Sequence, residues 1–142
     1  MKKLILVLFI LYTPFLLADE NTLQNLNQFQ WKNRVLLLHD PSNPQETLQN
    51  LLKLSPQFAE RNLLWFLFSN GSLETNYPGN VSSEFASNIK SRFLQGSGTK
   101  VVLIGKDGGV KYNASSFSPV EILKKIDSMP MRRQEKQNGE AP

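Results

Sequence analysis

Two uniformly apolar runs in the body of the chain, Val35–Leu38 and Leu63–Phe68, are each bounded by polar residues. Runs of this length, stopped by turn residues such as His39-Asp-Pro41, predict strands buried on both faces, as in a parallel pair. Between them, Asn43-Pro-Gln-Glu46 reads as a helix start. Asn43 can cap, Pro44 suits the first helical position and Glu46 completes a capping box. Leu48, Leu51, Leu52, Phe58 and Ala59 give the helical stripe, and Ser55-Pro56 is expected to break or restart it. Two such strands joined by a helix make a right-handed βαβ unit.

Further along, Ser69–Asn80 carries Asn-Gly and Pro-Gly turns and is predicted to be the longest loop. A helix follows from about Ser82 to Gln95, with Phe85, Ile89 and Phe93 on one face and Gly96 as its stop. Val101–Ile104 and Val110–Asn113 flank Lys106-Asp-Gly-Gly109, a strong hairpin signal. Ser118-Pro-Val-Glu121 then starts a last helix, with Val120, Leu123 and Ile126 toward the core and Ile122 at its margin. Met129-Pro130 is expected to end it, leaving residues 132–142 as a polar, mobile tail. The predicted order β-α-β-α-β-β-α is that of an α/β, thioredoxin-like domain over residues 31–131, a central mixed sheet with helices on both faces. Residues 19–30, with Leu23, Leu26 and Phe29 three apart, form a polar lead-in or a short amphipathic turn.

Charge and composition change this picture mainly at the N-terminus. Met1-Lys-Lys3, an uncharged stretch from Leu4 to Leu17 and Ala18-Asp-Glu20 together describe a cleavable secretory signal over residues 1–18. The stretch is shorter than the ~20 residues of a spanning helix and is interrupted by Pro14, so no stable membrane span is expected after cleavage. The protein is therefore expected to be exported, periplasmic or secreted. The signal carries two of the 16 basic residues and none of the 12 acidic ones, so 14 face 12 in the remainder and the net charge falls from +4 to +2. That balance makes no case for nucleic-acid binding. The chain has no cysteine, which removes dithiol exchange, thiolate peroxidase chemistry and Cys-ligated metal sites from consideration. Three Asn-X-Ser sequons, at Asn70, Asn80 and Asn113, are read as chance in an Asn- and Ser-rich chain.

Several stretches, Phe29-Gln-Trp-Lys-Asn-Arg34, Glu60-Arg61, Ile104-Gly-Lys-Asp-Gly-Gly-Val-Lys111 and Ile126-Asp-Ser-Met-Pro-Met-Arg-Arg-Gln-Glu135, resemble an uncharacterised family of small secreted bacterial proteins. A related domain occurs in vertebrate extracellular-matrix proteins, among them the sushi-repeat-containing proteins. The resemblance implies a thioredoxin- or peroxiredoxin-like fold without an established activity, and offers no catalytic residues.

Placed on the predicted topology, these strings should meet. The two parallel strands begin after Trp31–Arg34 and after Glu60-Arg61, the Lys106-Asp107-Gly108 turn ends an antiparallel strand, and the last helix returns Met129–Arg133 to the same pole. Trp31, Arg34, Glu60, Arg61, Lys106, Asp107, Arg132 and Arg133 thus form one candidate site, with Lys32 and Asp127 beside them. They read either as a clamp, Glu60 and Asp107 pairing with arginines to fasten the C-terminal segment, or as an interface for an unidentified protein or envelope component, since Trp and Arg are favoured anchors. The opposite pole, where a thioredoxin carries its redox site, holds His39, Asp40 and Lys100 near the first helix. These could make a small-ligand or anion site, or a non-thiol enzyme. One His with one neighbouring carboxylate leaves a metal-ligand set incomplete, so no metal or cofactor is expected.

Overall fold

The computed structural model describes residues 22–139. The expected export signal lies outside them. Five strands form one mixed sheet in the order β3-β2-β1-β4-β5: β1 (Arg34–His39), β2 (Leu63–Ser69), β3 (Ser72–Thr75), β4 (Lys100–Ile104) and β5 (Val110–Ala114). β1 pairs in parallel with β2 from Arg34↔Leu63 to His39↔Phe68, and antiparallel with β4 from Val35↔Ile104 to His39↔Lys100. The uniformly apolar runs are indeed the two adjacent parallel strands, and alternation splits their side chains between two cores. Leu36, Leu38, Trp65 and Leu67 pack with α1 (Pro44–Lys53), α2 (Ser55–Glu60) and α4 (Pro119–Ser128) through Leu51, Phe58, Ile122 and Ile126. Val35, Leu37, Phe66 and Phe68 face α3 (Ser83–Phe93) through Phe85 and Ile89.

Four local expectations need correction. The supposed loop after β2 contains β3, joined through Asn70 and Gly71, which both have positive φ (49° and 75°) as a tight hairpin turn requires. In α4, Val120 is 71% exposed while Ile122 is fully buried, so the stripe is rotated from the one read in the sequence. Leu52 and Ala59 are exposed rather than in the core. Finally, the chain does not trail off after Arg132. Met129 adopts extended backbone and a new helix, α5 (Pro130–Gln137), starts on Pro130, burying Arg132 and Glu135. The N-terminal lead-in is also packed: Leu23 is fully buried and bridges Val81, and a short 3-10 turn, Leu26–Phe29, buries Phe29. Among the described residues no helix is long and apolar enough to cross a membrane.

Phe58 is the side chain through which α2 enters the core, at 0% exposure. Phe58→Ala should lower unfolding stability by about 3–5 kcal/mol, read as a lower denaturant midpoint with an unchanged slope.

Candidate functional site

The pole below the starts of β1 and β2 is assembled by backbone before any side chain is considered. Asn62 ends α2 in the left-handed region (φ 49°), its N–H donating to the Ala59 carbonyl at 3.0 Å. Asn tolerates that conformation where most residues do not. Its carbonyl then accepts from the Arg34 N–H at 2.8 Å, and its Oδ1 accepts from Lys106 Nζ at 2.9 Å. On the other side, the Trp31 N–H donates to the Lys106 carbonyl at 2.6 Å, and Gln30 Nε2 donates to the Asp107 carbonyl at 3.2 Å. The β4–β5 turn is therefore tied to the entries of both parallel strands.

Into this frame α5 inserts Glu135. Its two carboxylate oxygens accept from Arg34 Nη2 at 3.2 Å and Nη1 at 3.3 Å, from Lys106 Nζ at 2.7 Å and from Arg132 Nη1 at 3.5 Å. Arg34 also donates to the Arg61 carbonyl at 2.8 Å. Arg132 Nη2 reaches Glu60 at 2.8 Å, and Arg61 holds Asp127 with two bonds of 2.9 and 3.0 Å. Arg34 and Arg132 are nearly inaccessible, with side chains 1% and 3% exposed. Burial alone would raise the Glu135 carboxyl, but the hydrogen bonds from Lys106 and Arg34 outweigh it and hold it below the usual glutamate range. Asp127 behaves alike, burial opposing and Arg61 overcoming it, while the hydrogen bond to Asp127 raises Arg61.

The topology thus brings Trp31, Arg34, Glu60, Arg61, Lys106, Asp107 and Arg132 to one end, with two departures from expectation. Asp107 pairs with no arginine: its carboxylate accepts from Lys111 Nζ at 2.6 Å and from the Gly109 N–H at 3.0 Å, and these hold it below the usual aspartate range. Arg133 is exposed and joins no ion pair among the described residues. The carboxylate at the centre, Glu135, lies in the segment that the sequence reads as a polar tail. The available signal was its i,i+3 spacing from Arg132 after a Pro at a helix start. Trp31 projects from this end 65% exposed, with φ at 65°.

At the opposite pole His39 and Lys100 are register partners, and His39 Nε2 lies 3.4 Å from Asp40 Oδ2. Strand alternation directs both toward the α3 face, whereas α1 packs on the other. The α1 N-terminus is filled by its own box, Glu46 N–H to Asn43 Oδ1 at 3.2 Å and Asn43 Nδ2 to Glu46 Oε2 at 3.1 Å. His39, Asp40 and Lys100 thus lie together, with His39 and Lys100 directed to the sheet face away from α1. Among the described residues no three His, Cys, Asp or Glu side chains are grouped to hold a metal ion.

Because the folded Glu135 and Asp127 carboxyls are depressed, their stabilisation is fully present above the ordinary carboxylate range and is lost as pH falls through the folded values. Melting temperature should hold from neutrality to about pH 5 and fall below it. Glu135→Gln should lower stability at pH 7 by about 3 kcal/mol, the scale of a broken buried pair, and flatten the acid dependence.

Comparison with solved structures supports the architecture. A reduced 2-Cys peroxiredoxin of Plasmodium vivax superposes with a TM-score of 0.55 at 24% identity, over 78% of this chain and 84% of that one. Thioredoxin peroxidase I of Plasmodium yoelii gives 0.51 at 22%, over 80% of each. The mitochondrial 2-Cys peroxiredoxin of Plasmodium falciparum gives 0.51 at 17%, over 80% and 83%. At such identities the likeness shows the thioredoxin-like fold alone. No curated protein matches the chain. Residues 25–135, from the lead-in to the central carboxylate of the ion network, match the family described as "Domain of unknown function (DUF4174)", and the chain belongs to that family.

Proposed function

We propose that this is an exported, non-catalytic binding domain that docks a partner protein through the pole around Trp31. The carrying observation is Trp31 itself: a large aromatic side chain, 65% exposed, on a residue held at φ 65°. Left-handed backbone costs a residue with a Cβ roughly 1–2 kcal/mol, and an exposed indole recovers none of it by burial. Strain of that kind at a surface aromatic is what a recognition residue carries. The 2.6 Å bond from its N–H to the Lys106 carbonyl fixes the backbone from which the ring projects.

The partner surface is expected to bear carboxylates. Cations at this end (Lys32, Arg34, Arg61, Lys106, Lys111, Arg132, Arg133 and Lys136) outnumber its carboxylates (Glu60, Asp107, Asp127 and Glu135). The surplus includes Lys32 and Arg133, both exposed and in no ion pair among the described residues. The signal-like residues 1–18 support export, and the cysteine-free chain supplies no thiol for redox chemistry.

Affinity capture from the native envelope fraction, run in parallel on variants, tests the reading. Trp31→Gly should keep or raise the melting temperature by relieving the left-handed backbone, by up to about 1 kcal/mol, yet lose the captured partner. Arg133→Glu should weaken capture without changing melting, whereas Arg132→Glu should lower melting because it breaks the buried network. A partner retained equally by Trp31→Gly would overturn the proposal.

A further inference from the structure

Beside the ion network lies a cavity of about 210 Å³ between the β4–β5 turn and the start of α5, walled by Arg34, Lys106, Asp107, Lys111, Met129 and Met131. Three features of that wall are unsatisfied by the chain itself. Arg34 Nε is buried without a hydrogen-bond partner, although Arg34 is 1% exposed. A buried guanidinium N–H left unmade costs the full desolvation of a charged donor. The eight-residue α5 begins at Met129-Pro130 with no side-chain cap; Pro130 has no N–H and the Arg133 N–H donates to the Met129 carbonyl, so the Met131 and Arg132 N–H groups have no partner within the helix. The charges also do not cancel. Asp107 neutralises Lys111, while Arg34 and Lys106 share the single carboxylate of Glu135, to which Arg132 also donates, leaving at least one positive charge in the wall.

We infer that this cavity is a carboxylate-binding pocket, taking a terminal carboxylate on a short apolar group. The carboxylate meets the surplus charge and the uncapped start of α5, and the methionines receive the apolar part, for which the flexible thioether is suited. The volume suits the terminal residue of a chain or a short acid. Two sources share this chemistry, the C-terminal residue of a polypeptide and a free short-chain carboxylic acid. In naming the group that a docked partner presents, the inference rests on the docking reading above.

The test is titration of the protein, followed through amide chemical shifts, with N-acetyl-Gly-Leu bearing a free carboxylate, the same peptide as its C-terminal amide, and hexanoate. The free carboxylate should shift Lys106, Lys111 and Met131 and bind at least tenfold more tightly than the amide. A response to the peptide acid alone assigns the pocket to a chain terminus, and an equal response to hexanoate assigns it to free acids. Arg34→Lys removes Nε directly but disturbs the ion network. Met131→Glu therefore serves as the second variant, placing a like charge at the half-buried rim, and should weaken the acid at least tenfold. Equal binding of acid and amide, no shift at these residues, or undiminished binding by Met131→Glu overturns the pocket. Trp31-dependent capture without carboxylate binding removes the pocket alone. Carboxylate binding without Trp31-dependent capture removes the docking reading alone.

Discussion

A guanidinium at the first residue of the central strand has to be answered by a carboxylate, and much of this molecule is arranged around that requirement. Arg34 is 1% exposed at the start of β1, between two strands whose next residues are wholly apolar. Water does not reach it, so its charge must be met from elsewhere in the chain. The partner is Glu135, 101 residues away on the last helix. This one pair turns a polar C-terminal segment into a structural helix and brings the end of the domain against its first strand.

Stability alone does not account for the arrangement. Apolar side chains of similar volume often match or exceed a buried ion pair, because desolvation offsets much of the Coulomb attraction. Directional bonds supply position instead. Glu135 bonds Lys106 as well as Arg34, Lys106 bonds Asn62, and the Lys106 carbonyl holds the Trp31 N–H. Through these links the β4–β5 turn, the end of α2, the start of α5 and the exposed Trp31 are fixed relative to one another. The cavity between the turn and α5 is a product of the same links, since its walls are the pieces they join.

What the sequence made legible, and what it concealed, follows from which forces write on it. Burial writes apolar periodicity, so β1, β2, α3 and the hairpin were readable, and parallel pairing with known strand polarity was enough to gather Trp31, Arg61 and Lys106 at one end. β3 was hidden because Leu73 is the one apolar residue of an edge strand that pairs on one side only. α5 was hidden because the side chains it buries are Arg132 and Glu135, and a hydrophobic stripe cannot report a charged one. Glu135 was lost with it. Strand polarity places Asp107 near arginines, but Lys111, four residues on and across the tight turn, reaches it first at 2.6 Å. Local partners generally win such contests, because less chain entropy is spent in forming the pair.

The two ends of the sheet differ in what they leave unsatisfied, and a ligand gains most where a protein's own groups remain unpaired. At the end where β1 stops, the α1 N-terminus is closed by Asn43 and Glu46, and His39 and Lys100 turn toward the other face, where His39 Nδ1 is the one buried polar side-chain atom of this pole without a partner among the described residues. Filling a capped terminus would mean displacing bonds already made, for little net return. At the other end the dense network consumes most of the charge but not all of it. Arg34 Nε lacks a partner and the start of α5 lacks a cap. Trp31 stands outside the core on strained backbone. These are costs that folding alone has not recovered, and they lie within one small region. An incoming carboxylate beside an apolar contact would recover several of them at once. That concentration of unpaired groups is what sets this end of the sheet apart.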